Sequence, residues 1–317
     1  MTSPILLAVP NVSEGRSAGT IAAIGDAFLG DSSSASPPDP VGLLDVHSDP
    51  DHHRSVFTLA AHPGTLADAL LRGAAATVER IDIMNRPDDH EARGQHPHVG
   101  ALDVAPIVYL DASAKGAACA EALVVADRIG SELGVPVFLY GELTAEGSDS
   151  GRTRAELRRG GVVALALRMG RSAPDAGITP LRPDFGPPRL HPSAGATLVA
   201  AREPLVAFNL QLAPPATVQD ARTIAAAIRE GGERGMPGLR AIGVALSGGL
   251  AQVSMNVERP LELPLAEVIE RVRAFAPLAS AELVGLAPLA ALEGFPEDLP
   301  MPGFDPARHV IENALGC

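Results

Sequence analysis

The chain has 317 residues, 46% of them hydrophobic, and carries 25 basic against 38 acidic side chains. This acidic balance argues against a nucleic-acid partner, because such binding draws most of its affinity from clustered lysine and arginine. No apolar run approaches the ~20 residues that span a bilayer, and the N-terminus has no signal-peptide pattern, so we expect a cytoplasmic protein that does not bind membranes. A soft prior of ~150 residues per domain favours two domains.

The hydrophobic pattern of the first half predicts the element order β-α-β-β-α-β. Strands are predicted at residues 5–9, 41–46, 54–59 and 103–110, with a polar loop over residues 47–54. One helix is predicted after Ser17, a typical N-cap residue, and a second over residues 64–80. A helix over residues 113–133 and a strand over 136–140 follow, and then a connector, residues 146–192, with a short helix near 154–159.

The second half repeats this order. Strands are predicted at residues 205–212, 239–246, 250–257 and 281–286, and helices from Thr217 onward and over residues 265–275. The order is that of the split βαβ, ferredoxin-like arrangement. The sequence therefore predicts an α+β protein with two ferredoxin-like subdomains, residues 1–194 and 195–317, and a ligand cleft between them.

The segment from Gly94 to Asp103 places two imidazoles, His96 and His98, on a turn before a predicted strand. Pro97 fixes its own φ and favours an extended conformation at His96, so the turn is expected to be rigid. An imidazole can take up and return a proton near neutral pH, which suits a general acid/base. Taken alone, the same motif is also typical of a surface turn or of two metal ligands.

A metal-dependent hydrolase is an alternative interpretation, because seven of the nine histidines lie between His47 and His98. Zinc would need three or four converging ligands, for example His52, His53, His96 and His98. Adjacent side chains of an extended strand point in opposite directions, which disfavours the pair at 52 and 53 as joint ligands.

Several motifs along the whole chain resemble, in the same order, segments of the glutamate formimidoyltransferase family. They are Val9-Pro10-Asn11 with Ser13-Glu14-Gly15, His96-Pro97 with Gly100-Ala101-Leu102-Asp103-Val104, Tyr140-Gly141-Glu142, Pro183-Asp184-Phe185-Gly186-Pro187, Ala207-Phe208-Asn209, Leu250-Ala251-Gln252-Val253-Ser254 with Asn256, and Leu283-Val284-Gly285-Leu286 with Pro288-Leu289. Such colinearity is harder to obtain by chance than any one motif.

The resemblance implies a transferase that moves the formimidoyl group of N-formimidoyl-L-glutamate to N5 of tetrahydrofolate, in histidine degradation, with His96 as the catalytic acid/base. Tetrahydrofolate would bind between the two subdomains as co-substrate, and no metal is expected. Formyl transfer between 5-formyltetrahydrofolate and glutamate at the same site stays open, as does a non-catalytic folate-binding protein. The resemblance also implies a separate cyclodeaminase, and a homodimer is the default expectation.

The carboxylate that supports His96 is expected among Asp49, Asp51 and Asp184, because animal members of the family have an aspartate where this chain has His47. Arg54 and Arg202 are candidates for gripping a substrate or folate carboxylate, since arginine suits bidentate capture.

Asn11 is a candidate ligand of the pterin or the amidine. The resemblance implies folate contacts along one loop: Gly186, Pro187, Pro188, Arg189, Leu190, His191, Pro192, Ser193, Ala194 and Gly195. The family has a tryptophan at the position of Ala194, so this chain loses one apolar surface in the loop.

Overall fold

A computed structural model describes residues 3–30, 41–86, 97–144, 152–170 and 180–316. These residues form an α+β protein with two β-sheets. The chain divides into two compact units, Met1–Arg202 and Glu203–Cys317. Within the described ranges, no helix is long and apolar enough to cross a membrane.

The sheet of the first unit is mixed. Its strands are β1 (Leu6–Ala8), β2 (Asn11–Val12), β3 (Gly42–Asp49), β4 (Arg54–Ala61), β5 (Leu102–Tyr109), β6 (Val137–Leu139) and β7 (Thr197–Arg202). The short strands β1 and β2 lie between β4 and β5 and run antiparallel to both. Strand β3 pairs with β4, and β7 runs parallel to both β5 and β6.

The helices of the first unit bury apolar side chains in its core. They are α1 (Ala18–Leu29), α2 (Thr65–Arg80), α3 (Lys115–Glu132), α4 (Arg154–Arg158) and α5 (Gly161–Gly170). Ser17 caps α1 as predicted, because its side chain accepts the N–H of Thr20. The carboxylate of Glu121 accepts the N–H groups of Gly64 and Ala67 at 2.7–2.9 Å, which satisfies otherwise orphaned donors at the start of α2.

The second unit has a fully antiparallel sheet. Its elements are β8 (Val206–Leu212), β9 (Leu239–Ala245), β10 (Ala251–Val257), β11 (Leu278–Val284), α6 (Val218–Ile228), α7 (Leu265–Arg273), α8 (Pro306–His309) and α9 (Ile311–Leu315). The strand order is β11-β8-β10-β9. If β1 and β2 are taken as one interrupted strand, β5-β1-β4-β3 of the first sheet is the same order, so the repeat inferred from sequence is present in the strand pairing.

Three sequence predictions for the first unit were wrong. Residues 47–49 belong to β3, where His47 pairs with Val56, rather than to a loop. Strand β7 was not predicted, because it is buried along most of its length and shows no apolar–polar alternation. Helix α5 was also missed, since its Gly-flanked sequence lies in what was interpreted as a connector. Strand β7 pairs with two strands of the first sheet, and the first compact unit ends at Arg202.

We expect Gly73→Ala to destabilise the first unit by about 1–3 kcal/mol, because overpacking a core costs that much. An added Cβ at this α2 position would lie 2.0 Å from the ring of Phe28 on α1. The matched control is Gly116→Ala on α3, where the new Cβ has nothing within 4 Å, so the change should be neutral or slightly stabilising. Urea unfolding measures the stability of both variants. Equal free energies of unfolding for the two variants would contradict the close packing of α1 against α2.

Candidate active site

A small recess in the first unit brings together three segments that are distant in sequence. It is lined by residues from β2 and its end, from the end of the β3–β4 hairpin, and from the start of β5 with the turn before it: Asn11, Val12, Ser13, His52, His53, Arg54, Pro97, His98 and Asp103. His96, the predicted catalytic residue, lies outside the described residues. Its chain neighbour Pro97 lines the recess.

Gly15 permits the close approach of the first two segments. A Cβ at this position would lie 2.2 Å from the carbonyl oxygen of Asp49 and 2.6 Å from the backbone nitrogen of Arg54, both of which are backbone atoms that cannot move aside. The Ser55 hydroxyl donates to the carbonyl of Glu14 at 2.6 Å. The backbone at residues 14 and 15 is therefore packed directly on the end of the β3–β4 hairpin.

Ser13 joins the first segment to the third. Its backbone N–H donates to the carbonyl of Ala101 at 2.8 Å, and its hydroxyl donates to the carbonyl of Gly100 at 2.7 Å. Arg86 donates to the Ser13 carbonyl at 2.6 Å. Residues 86 and 100 stand before and after the segment that carries His96, so Ser13 binds both flanks of that segment.

His53 is a buried histidine held in an unusual backbone conformation, with φ of 50°. Its Nδ1 accepts the backbone N–H of Gly15 at 3.2 Å and lies 3.6 Å from a carboxylate oxygen of Glu14. Burial, with the nearby charge of Arg86, lowers the pKa of His53 to about 4, against the opposing effect of Glu14. His53 is thus neutral near pH 7, and because Nδ1 accepts a hydrogen bond, the ring proton is on Nε2.

The adjacent His52 contacts a different partner. Its Nε2 lies 3.5 Å from Asp49, whereas His53 contacts Gly15 and Glu14. The two rings therefore do not converge on one point, in keeping with the expectation for adjacent side chains. Among the residues that the structure describes, no group of three or more histidine, cysteine or acidic side chains has the arrangement of a metal site.

Asp103 lies at the start of β5 and is the carboxylate that lines the recess. One carboxylate oxygen accepts the N–H of Val99 at 2.8 Å, and the other accepts from the guanidinium of Arg158 on α4. The pair is nearly buried, with side-chain exposures of 7% for Asp103 and 12% for Arg158. Asp103 therefore fixes the backbone two residues after Pro97.

Arg54 begins β4 and also lines the recess. Burial and the neighbouring charge of Arg158 lower the pKa of Arg54 to about 10, so the guanidinium keeps its charge at neutral pH. Within the described part of the chain, its guanidinium donates no hydrogen bond, and no carboxylate lies within 4.0 Å of it. A partly buried charge of this kind is available to a ligand.

The other candidates named from sequence fall into different surroundings. Asn11 lines the recess, and its side-chain amide donates to the carbonyl of Val9 at 3.1 Å. The carboxylate of Asp49 accepts the N–H groups of Asp51 and His52 at 2.8 and 2.9 Å, which closes the hairpin turn. Asp51 lies in that turn. Neither Asp49 nor Asp51 is among the residues that line the recess.

Asp184 and Arg202 lie elsewhere in the first unit. The carboxylate of Asp184 accepts from Arg152 at 2.6 Å and from the N–H of Leu139 at 2.7 Å, so it ties the chain to the end of β6. Arg202 is the last residue of β7, paired with Val108 of β5.

The end of the 186–195 loop packs beside the recess. The carbonyl of Ala194 accepts the N–H of Ala101 at 2.9 Å, and Gly195 forms a bridge with Gly100. The side chain of Ala194 is buried in the core of the first unit. His191 and Gly195 exchange backbone hydrogen bonds that close the turn. The earlier part of the loop is more exposed, including Arg189.

Sequence reasoning did not assign roles to several residues that build this site. Ser13, Glu14 and Asp103 lie inside motifs that carried the family resemblance, so a signal was present but gave no function. His53 was considered only as a metal ligand. Arg86 gave no signal, because its contact with Ser13 joins residues far apart in the chain.

Comparisons with known proteins give the family of the chain. Residues 5–202 match the family model described as the formiminotransferase domain, N-terminal subdomain. The glutamate formimidoyltransferase of Streptococcus pyogenes serotype M1 is 32% identical over 318 residues, 98% of each chain. That of Thermoplasma acidophilum is 33% identical over 293 residues, 90% of this chain and 88% of the relative. The formimidoyltransferase-cyclodeaminase of Sus scrofa is 36% identical over 306 residues, 92% of this chain but 51% of the relative.

These matches define an enzyme that transfers one-carbon groups, with a recess in its first unit that holds charged and imidazole side chains. Within that class, the chain belongs to the glutamate formimidoyltransferase family, and the resemblance seen in its motifs is confirmed. The chain spans about half the length of the bifunctional Sus scrofa enzyme.

We expect His53 to make folding stability depend on pH. Because the pKa of His53 falls from 6.5 to about 4 on folding, the unfolded chain binds a proton between these values that the folded chain does not. His53 therefore lowers the free energy of unfolding as pH falls from 6.5 towards 4. Above pH 6.5 it has no effect on that free energy. Urea unfolding at pH 7 and pH 5 should show a smaller difference for His53→Asn than for the wild type.

His53→Asn suits this test, because asparagine tolerates positive φ and its side-chain oxygen is able to accept the Gly15 N–H. Imidazole NMR signals give a direct control, since the His53 ring should not titrate between pH 5 and 8. A titration midpoint near 6.5 would disprove the argument.

Proposed function

We propose that the enzyme transfers the formimidoyl group of N-formimidoyl-L-glutamate to N5 of tetrahydrofolate, yielding 5-formimidoyltetrahydrofolate and L-glutamate. The observation that carries this proposal is the match to the Streptococcus pyogenes glutamate formimidoyltransferase over 98% of both chains. The charged recess supports it, because it is lined by Pro97, the residue that follows His96 in the sequence. We also propose that the reaction belongs to histidine degradation, to which its donor, N-formimidoyl-L-glutamate, links it.

The chemistry requires a group that moves protons. As N5 attacks the amidine carbon, a C–N bond forms and N5 loses a proton; when the bond to the glutamate nitrogen breaks, that nitrogen gains one. A single imidazole can do both in sequence, because its ordinary pKa lies near neutrality. We assign this role to His96, whose flanks at residues 86 and 100 are bound by Ser13.

The donor and the co-substrate both carry carboxylates. We propose that Arg54 binds one of them, since it lines the recess and makes no ion pair within the described residues. We propose folate contacts for Asn11 and for residues 186–195, the latter supported by the packing of Ala194 and Gly195 beside residues 100 and 101. Arg202 and Asp184 stay candidates by resemblance, and Asp184 would have to act while bound to Arg152.

The carboxylate that supports His96 is proposed among the acids of the hairpin end and the recess. Asp49 and Asp51 lie in the turn that leads into His52 and His53, and the family's acidic position is two residues before Asp49. The shared strand order of the two sheets supports the proposal of two ferredoxin-like subdomains. Folate binding between them is proposed from the family resemblance alone. A cytoplasmic homodimer completes the proposal.

We expect His96→Ala to lower kcat by about 10²–10⁴-fold, the usual contribution of a general acid/base, while folding and binding of tetrahydrofolate are preserved. A spectroscopic transfer assay with tetrahydrofolate and N-formimidoyl-L-glutamate measures the rate, and circular dichroism measures folding.

The matched control is His62→Gln, because His62 contacts the carbonyl of Pro4 and does not line the recess. It should retain wild-type kcat. Full activity of the His96 variant would refute the assignment. Turnover by the wild type with N-formyl-L-glutamate and not with the formimidoyl donor would replace the reaction by formyl transfer.

A further inference from the structure

The recess wall has more positive than negative charge at one place. Asp103 is a single carboxylate, and both of its oxygens already accept hydrogen bonds, one from Val99 and one from Arg158. Arg54 lies in the same wall and, among the described residues, has no carboxylate within 4.0 Å. The charges that act on Arg54 are those of Arg158, Arg154, Asp49 and Asp103, so three guanidinium groups face two carboxylates, which leaves about one positive charge uncompensated.

Arg158 has unused hydrogen-bonding capacity. Its Nε is buried and, within the described residues, has no hydrogen-bond acceptor, although its Nη2 binds Asp103. A buried N–H without an acceptor is costly, and structures that retain one commonly do so for function. Asp103, which lines the recess, binds this guanidinium close enough to Arg54 for the charge of Arg158 to lower the pKa of Arg54.

We infer that Arg54 and Arg158 together form the binding subsite for one carboxylate of the formimidoyl donor, with Asp103 orienting Arg158. The inference rests on the proposed function and extends it to Arg158, which the sequence analysis did not single out. A carboxylate carries one negative charge and presents two oxygens, which matches the one uncompensated charge and the forked donors of two guanidinium groups. Arg158 is then a specificity-determining residue for the donor.

A purely structural role for Arg158 makes a different prediction. If Arg158 only neutralises Asp103, then Arg158→Gln would weaken donor binding because the freed Asp103 would pair with Arg54. Removing both charges in the double variant Asp103→Asn/Arg158→Gln would then leave Arg54 free and restore binding. If Arg158 itself contacts the ligand, the double variant stays defective.

The test is isothermal titration of the wild type and of these variants with L-glutamate, glutarate and inorganic phosphate, together with KM and kcat in the transfer assay. We expect Arg158→Gln and the double variant to weaken L-glutamate and glutarate binding by about tenfold or more, the size typical of a charge-assisted hydrogen bond. KM for the donor should rise by a similar factor, and KM for tetrahydrofolate should stay within about twofold of the wild type.

Arg159→Gln is the matched control, because Arg159 is the exposed neighbour of Arg158 and the change removes the same charge. It should bind L-glutamate like the wild type. Arg158→Lys, which keeps the charge but not the fork, should give an intermediate affinity. Circular dichroism and thermal unfolding confirm that each variant is folded.

The outcomes separate this inference from the proposed function. Wild-type transfer activity with normal glutamate binding by the double variant would overturn the subsite and leave the function standing. Absence of transfer by the wild type, with glutarate binding that still depends on Arg158, would overturn the function and support the subsite. Failure of the wild type to bind either dicarboxylate, or tighter binding of phosphate than of both, would overturn the subsite.

Discussion

The recess depends on a backbone contact that only a residue without a side chain permits. Gly15 lies so close to the end of the β3–β4 hairpin that a methyl group there would overlap backbone atoms of Asp49 and Arg54. This contact places Ser13 where it reaches residues 100 and 101, and it places the Gly15 N–H where it is accepted by His53. One glycine thus determines the relative position of the three segments that line the site.

Electrostatics within the recess follow from burial as much as from charge. His53 stays neutral because its ring is shielded from solvent and stands near Arg86, so it contributes a fixed hydrogen-bond donor rather than a titrating group. Burial would raise the pKa of Glu14, but the N–H groups of Ser17 and Arg16 and the charge of Arg86 lower it overall. His53 is therefore not the group that moves protons near pH 7 in the proposed mechanism, which gives that role to His96.

Local signals in the sequence predicted the elements whose ends are set by their own side chains. Helices α1 and α6 begin where Ser17 and Thr217 cap them, and their apolar faces follow the helical period. Strand β7 and helix α5 were missed, because the first is identified by its pairing with β5 and β6 and the second follows glycines that interrupt the pattern. For the site, sequence named Arg54 and Asn11, which line the recess, but the contacts of Arg86 and Arg158 exist only in three dimensions.

Helix α4, which carries Arg158, is too short to persist by itself, since a few residues of helix cannot repay the cost of nucleation. Its ends are held by side chains: Thr153 and Glu156 cap each other reciprocally at the start, and Arg168 of α5 donates to the carbonyls of Glu156 and Leu157. Leu157 packs on side chains of the sheet and Arg158 binds Asp103 of β5, so the position of this short helix depends on both the sheet and Arg168. Arg168 never needs to meet a ligand to affect its capture, because it holds the backbone that immediately precedes Arg158.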